Sequence, residues 1–188
     1  MSGDALMSVD EFVPLLNKSV DRELIRGHLR EWPRRFHTPA HGVTLANFCT
    51  LLKRWEETHP RPRPCVHAFG AGFLIRRNPD TLIGSDLSIA SAEQMARTPR
   101  DQSYFDGPPI LAVEILEPWD TQGDIAKRVL EYLDSGTIVW IVDPVLLRVI
   151  VHRPGFEPVT FTTSQELSAE PYLPGFRASV GGAIFDDY

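Results

Sequence analysis

The spacing of apolar residues along the chain predicts an ordered series of helices and strands. Residues 21–33 alternate around Gly27, as the two arms of a β-hairpin do. Residues 38–60 instead place apolar side chains at helical spacing, with Thr38 in the N-cap position and Pro39 in the first turn. Strand patterns cover residues 65–77, 81–91, 110–116, 137–142, 146–153 and 157–163, and a second helical pattern covers residues 120–136.

The order of these elements predicts the fold class. After the N-terminal hairpin come a long helix, three strands, a second helix and two more strands. This order favours an α/β or α+β fold in which helices flank a mixed β-sheet. Residues 9–18 predict a short helix or turn ahead of the hairpin. Because 188 residues suffice for one domain with a sizeable core, we expect residues 1–188 to form a single domain.

Composition places the chain among ordinary globular proteins, with 43% hydrophobic and 23% charged residues. No segment approaches the roughly 20 apolar residues that span a bilayer, and the polar, acidic N-terminus is unlike a secretory signal. Cys49 and Cys65 lie far apart and outside any C-x-x-C motif. We therefore expect buried thiols in a reducing compartment, a cytoplasmic location and no membrane association.

The net charge of −6 argues against strong non-specific binding of nucleic acid by the whole surface. The charge is uneven, however, because residues 22–63 contain nine Lys or Arg residues against four Glu. Within this segment Arg30, Arg34 and Arg35 are candidate contacts to DNA phosphates. A solvated basic face explains the same pattern equally well.

Glu114 is the clearest sign of a functional site, because it interrupts an apolar run over residues 110–116. A carboxylate that leaves water without a partner costs several kcal/mol or takes up a proton. Asp86 lies in the preceding strand pattern, where its same-face neighbours Gly84 and Ser88 are small and leave room for a ligand. If the two strands are adjacent, both carboxylates face one pocket, and a hard divalent cation such as Mg²⁺ would relieve their repulsion.

Lys127 completes this hypothesis from the second predicted helix. Its ammonium could reach back to the end of the Glu114 strand, offset the carboxylates and position or deprotonate a water molecule. A structural interpretation of the same residues stays open. Glu114 could be a paired acid held by an arginine such as Arg128, and Asp86 could mark a turn or a bulge.

Other candidates for the site are secondary. Glu23 in the hairpin and His41 in the long helix could border the pocket, although Glu23 could equally pair with a hairpin arginine. His41 shares a helix face with apolar residues, as a core histidine would. Trp119 could stack on a splayed base or simply cover the core. Tyr132 and Trp140 have the spacing of aromatic residues that pack inside a protein.

Several of these segments resemble the Uma2 endonuclease family of the PD-(D/E)xK nuclease superfamily. The shared segments are, in chain order, ELIRG (23–27), His41-Gly42, EILEPWD (114–120), Lys127 and Tyr132 in the following helix, WIVDP (140–144) and LPGF (173–176). The likeness runs from about residue 10 to residue 185. Each motif is weak by itself, but their order and spacing together are specific.

The resemblance implies a restriction-endonuclease-like core and metal-dependent hydrolysis of a DNA phosphodiester. It implies that Asp86 and Glu114, with the main-chain carbonyl of Ile115, hold one or two Mg²⁺ or Mn²⁺ ions. The usual E-x-K motif would put its lysine at position 116, which is Leu116 here. The family takes this lysine from the following helix, so the resemblance assigns to Lys127 the orientation of the attacking water or stabilisation of the transition state.

Two departures from the family pattern leave other functions open. Ser85 stands where a proline usually precedes the aspartate, and residues 117–119 replace Ser-Pro-Ser by Glu-Pro-Trp. The chain could therefore be a DNA endonuclease, working alone or as a homodimer. It could also be an inactive relative that binds nucleic acid or protein, or a metal-dependent hydrolase of another phosphate ester.

Overall fold

The computed structural model describes residues 6–16 and 20–185, and within them three β-sheets are flanked by helices. The α-helices are α1 (Val9–Phe12), α2 (Pro39–Glu57), α3 (Ala92–Arg97) and α4 (Gln122–Asp134), with a 3₁₀ turn at Val13–Leu15 and a π-helix at Val180–Ile184. The strands are β1 (Val20–Ile25), β2 (His28–Pro33), β3 (Cys65–Ala68), β4 (Gly72–Arg76), β5 (Thr81–Gly84), β6 (Leu87–Ala90), β7 (Tyr104–Asp106), β8 (Leu111–Ile115), β9 (Ile138–Asp143), β10 (Arg148–Arg153), β11 (Phe156–Thr162), β12 (Glu166–Ser168) and β13 (Arg177–Ser179). The expected α+β class with a mixed sheet is confirmed.

A six-stranded sheet in the order β11-β10-β9-β8-β6-β3 forms the centre of the core. Strands β8 and β9 run parallel, and α4 makes the crossover that a parallel pair requires. Helix α2 packs Phe48 and Leu52 against the face of β8 that carries Val113, whereas α4 packs Val129 and Tyr132 against the opposite face. Coverage on both sides explains why β8 and β9 are apolar at consecutive positions.

A five-stranded sheet in the order β2-β1-β5-β4-β7 lies beside the central one. The predicted hairpin is present as β1 and β2, whose turn contains Gly27 at φ +77°. Strand β1 pairs with β5, which pairs with β4. The hairpin thereby becomes part of a sheet and carries Glu23 to Arg128 in the middle of α4.

Two predicted strands are each broken in the structure. Residues 81–91 divide at Ser85 and Asp86 into β5 and β6, and residues 65–77 divide near Phe69 and Gly70 into β3 and β4. The two breaks lie side by side, because the Phe69 amide donates to the Asp86 carbonyl at 2.9 Å and the Gly70 amide to the Ser85 carbonyl at 3.0 Å. Both segments cross here from one sheet to the other, so Asp86 lies at the crossing rather than on one regular strand face.

Several local features agree with the sequence pattern. The Thr38 hydroxyl accepts the His41 amide at 3.2 Å, as an N-cap does. Tyr132 and Trp140 are fully buried core residues, as their spacing predicts. The two cysteines are free and half-buried, so the expectation of buried thiols is met only in part. The helix predicted over residues 9–18 ends earlier as α1 and the 3₁₀ turn, and residues 17 and 18 lie outside the described residues.

No helix in the described part of the chain combines the length and apolar character needed to cross a membrane. The assignment of residues 1–188 to a single domain stays a prediction.

Candidate functional site

An acidic cleft of about 570 Å³ lies where the hairpin, the N-terminus of α2, the end of β8 and the start of α4 meet. Its acidic lining residues are Asp21, Glu23, Glu31, Asp86, Glu114, Glu117, Asp120 and Asp124. The arginines that line it are Arg30, Arg35 and Arg128. Since acids far outnumber arginines, the cleft favours positively charged ligands.

Asp86 and Glu114 both line this cleft, as the sequence predicted for neighbouring strands. Strand β6 pairs directly with β8, which brings the segment after Ser85 next to Glu114. Asp86 Oδ2 accepts the Ile115 amide at 2.7 Å, so the carboxylate of Asp86 is anchored to the residue after Glu114. This bond fixes the position of one acid relative to the other.

Glu114 forms an ion pair with a largely buried arginine. Arg128 Nη2 lies 2.6 Å from Glu114 Oε1, and the same guanidinium donates to Glu23 Oε2 and to the Gly84 carbonyl. Glu23 is also reached by Arg30 Nη1 at 3.3 Å. The sequence left open that an arginine such as Arg128 pairs with Glu114, and the structure contains this ion pair.

The electrostatic environment of Glu114 raises the pKa of its carboxyl group to about 7. Burial is the largest cause, the Arg128 charge opposes it, and the nearby Asp86 charge raises the pKa further. The pKa of Asp120 is also raised. Burial is the largest cause, and the charges of Asp86 and Glu117 add to it, whereas a hydrogen bond from the Glu117 amide lowers the pKa. The acids of the cleft thus repel one another even with Arg128 in place.

His41 supports Asp86 from the first turn of α2. The Nε2 atom of His41 lies 3.2 Å from Asp86 Oδ1, and the imidazole is buried. Burial lowers the pKa of His41, but the contact with Asp86 and the charges of Asp86, Glu117 and Asp120 together raise it overall. Among the described residues, neither ring nitrogen of His41 has a hydrogen-bond partner of good geometry, so the contact of Nε2 with Asp86 is an ion pair.

Glu117 is a buried acid of the cleft that was not among the predicted site residues, although it replaces a serine of the family pattern. Its carboxylate accepts the Thr38 amide at 3.1 Å and the Thr38 hydroxyl at 2.9 Å, and Oε1 lies 3.0 Å from His37 Nδ1. The rings of His37 and His41 stack at 4.1 Å. One ligand atom from each of His37, His41 and Glu117 lies within 4.8 Å of the other two, so these residues could also contact a metal ion.

Lys127 is not brought to the carboxylates, contrary to the expectation that its ammonium reaches Glu114. Its side chain is 65% exposed, and Nζ lies 4.0 Å from Asp124 Oδ1. Each helical residue turns the side chain by about 100°, so the next residue, Arg128, faces the sheet instead. The sequence contained this signal, since Arg128 is four residues before the buried Tyr132. A catalytic role for Lys127 stays a prediction.

The three candidate phosphate-binding arginines have different positions. Arg30 lies inside the cleft, where it bridges Glu23 and Asp124, the latter at 2.6 Å. Arg35 lies at the cleft edge with its guanidinium 5.4 Å from the centre of the Trp119 ring, and Arg34 lines an adjoining cavity. Arg34 and Arg35 are exposed, whereas Arg30 is half-buried.

The donor set fits a divalent metal ion. Asp86 and Glu114 offer carboxylate oxygens, which Mg²⁺ and Mn²⁺ prefer. Burial and, to a smaller extent, the Asp86 charge raise the pKa of Glu114, and a bound cation would relieve both effects. Within the described residues, no hydrogen bond or ion pair engages Glu114 Oε2, so this atom remains accessible as a ligand.

Comparisons with known proteins agree with this fold. A solved structure of a protein described as a "putative nuclease belonging to DUF820", from Anabaena variabilis ATCC 29413, is similar with a TM-score of 0.76. The two chains are 19% identical, and the alignment covers 96% of this chain and 98% of that one, a likeness that shows the shared fold. No curated protein matches the chain. The model of the Uma2 family, described as "Putative restriction endonuclease", matches residues 9–181, and the chain belongs to this family.

Proposed function

We propose that this protein is a divalent-metal-dependent DNA endonuclease in which Asp86 and Glu114 hold the metal ion. The observation that carries the proposal is the convergence of these two carboxylates in one acidic cleft, with Asp86 anchored to the Ile115 amide. Membership of the Uma2 family supports nuclease chemistry over other phosphate-ester hydrolysis. Mg²⁺ or Mn²⁺ is the ion class that matches the oxygen ligands, and the carbonyl of Ile115 is a further candidate ligand.

The residues of the chain have distinct tasks in this proposal. When bound, the metal ion would lower the pKa of a coordinated water and neutralise charge on the scissile phosphate. Arg128 holds Glu114 in orientation and partly compensates the two acids beside it. His41 holds Asp86 through Oδ1, so that Asp86 is fixed from two sides. Because these side chains are already fixed, less entropy is lost when the site is assembled.

A second function is favoured by one specific observation. Arg128 already contributes a positive charge between Glu23 and Glu114, where a catalytic cation would otherwise compensate them. Because an arginine of the chain already neutralises the buried acids, the protein can stay folded without a metal ion and act as a module that binds nucleic acid or protein. Under this second proposal the chain keeps the fold and loses the hydrolysis.

Nicking of supercoiled plasmid in Mg²⁺ and in Mn²⁺ distinguishes the two. An endonuclease converts the plasmid to the open circle, and Asp86→Asn lowers the rate by at least about a hundredfold because metal-assisted stabilisation is lost. Lys127→Met is the matched variant. The exposed position of Lys127 in the structure predicts that this variant keeps its activity, whereas the catalytic role expected from the sequence predicts that the activity is lost. Absence of nicking by the wild type in either ion favours the inactive module.

A further inference from the structure

We propose that the cavity adjoining the acidic cleft binds single-stranded DNA by stacking unpaired bases on Phe36 and Phe69. This inference rests on the proposed nuclease function and names its substrate class. It requires aromatic rings that are exposed, close to the acidic site and held in place. Phe36 and Phe69 meet the first two conditions, and the constrained backbone of Phe69 meets the third.

Exposed aromatic rings are concentrated around the site. Within residues 6–16 and 20–185, the large exposed aromatic side chains are Trp32, Phe36, Phe69, Trp119 and Phe156. All except Phe156 line the acidic cleft or the adjoining cavity of about 630 Å³ that shares Asp86, Glu114 and Arg128 with it. Phe36 is 98% exposed and Phe69 is 72% exposed, so their faces are open to a ligand. Isolated exposed aromatics are ordinary, but a group of four at one site is a sign of binding.

Phe69 is held in an unfavourable backbone conformation that presents its ring. Its φ of +59° lies in the left-handed region, which a bulky residue adopts only when the surrounding structure imposes it. The constraint is visible in the amide of Phe69, which donates to Asp86, and in the amide of Gly70, which donates to Ser85. A Cβ on Gly84 would lie 3.0 Å from the Gly70 backbone, so the loop also packs closely on β5. The ring is therefore fixed to the same backbone segment that carries Asp86.

Charge favours a single strand over a duplex at this place. A DNA duplex carries roughly one negative charge per 1.7 Å of its axis. An acidic cleft repels this high charge density. A single strand has a lower charge density and can turn its bases toward the aromatic rings while its phosphates stay near the cleft edge. Arg35 lies at that edge, beside Trp119.

Fluorescence anisotropy of labelled oligonucleotides tests the proposal in the full chain with divalent ions chelated. Short oligo(dT) is expected to bind, and a hairpin duplex of equal length to bind at least about tenfold more weakly. Phe36→Ala and Phe69→Ala are each expected to weaken oligo(dT) binding by about fivefold or more, since each removes one stacking surface. Phe156→Ala, which removes an exposed ring remote from the cleft, is the matched control and should bind like the wild type.

Phe69→Gly separates a binding role from a folding role. Glycine accepts a positive φ without strain, so this variant should unfold at a temperature no lower than the wild type and still bind oligo(dT) more weakly. Equal binding of oligo(dT) and duplex would overturn the proposal, as would unchanged affinity in both phenylalanine variants. Because no metal is present, these outcomes are independent of whether plasmid is nicked.

Discussion

At the scale of single residues, Arg128 is the group on which the acidic cluster depends. It is largely buried and forms ion pairs with both Glu23 and Glu114. Replacing a whole buried ion-pair set by apolar residues can be neutral, but removing one partner leaves a buried charge without compensation. The cluster therefore tolerates little change at this position, whereas the neighbouring Lys127 lies in solvent.

We expect Arg128→Met to lower the free energy of unfolding by about 3–5 kcal/mol, because the buried Glu114 loses its ion-pair partner and Glu23 keeps only Arg30. Lys127→Met, one residue away on the exposed side of the same helix, should change it by less than about 0.5 kcal/mol. Urea denaturation of both variants at neutral pH checks this. Equal effects of the two substitutions would mean that Arg128 is not the buried partner described here.

The raised pKa of Glu114 makes a signed prediction about pH. A carboxyl whose folded pKa of about 7 exceeds its ordinary value of 4.5 favours the folded state when protonated. Relative to Glu114→Gln, the wild type should therefore lose stability as pH rises from about 4.5 to about 7 and stay level above it. Urea denaturation across this pH range measures the difference. A difference that grows in favour of the wild type over the same range would show instead that Arg128 lowers the pKa.

At the scale of elements, the N-terminus of α2 is joined to the end of β8 through Thr38 and Glu117. Thr38 caps the helix through its hydroxyl, and Glu117 accepts both the Thr38 amide and that hydroxyl. His41, one turn into the helix, then contacts Asp86. The helix start thus connects Glu117 with one of the two proposed metal ligands.

Thr38→Ala should reduce the free energy of unfolding by about 1–2 kcal/mol, because the cap and the bond to Glu117 are both lost. Thr50→Ala in the exposed middle of the same helix is the control, since Thr50 only bonds back to the Ala46 carbonyl. Thermal or urea unfolding reports the difference. Similar stability of the two variants would argue against the connection between α2 and β8.

The sequence predicts features that local chemistry determines, and it misses those that depend on distant partners. The hairpin turn at Gly27 and the cap at Thr38 depend on neighbouring residues, and both were predicted. A turn or a bulge at Asp86 was one alternative that the sequence left open, but the crossing of both segments from one sheet to the other was not predicted, because a strand that changes sheets keeps its apolar pattern on both sides of the break. Glu117 was missed as a site residue for a similar reason, since its partners lie about 80 positions away in the chain.

At the scale of the whole molecule, the site exists because two sheets meet. The crossing near Asp86 joins the five-stranded sheet to the six-stranded one, β1 brings Glu23 from the first, and β8 brings Glu114 from the second. Membership of the Uma2 family and the shared fold support a nuclease built around this junction. Cutting both DNA strands as a homodimer and a cytoplasmic location stay predictions at this scale.

Calorimetric titration with Mn²⁺ tests the central claim most directly, because the proposed chemistry requires Asp86 and Glu114 to hold a divalent ion. We predict that the wild type binds Mn²⁺ at millimolar concentration or below, that Asp86→Asn weakens binding at least about tenfold, and that Lys127→Met binds like the wild type. Absence of binding by the wild type at millimolar Mn²⁺, or equal binding by Asp86→Asn, would contradict the metal-dependent nuclease proposed here.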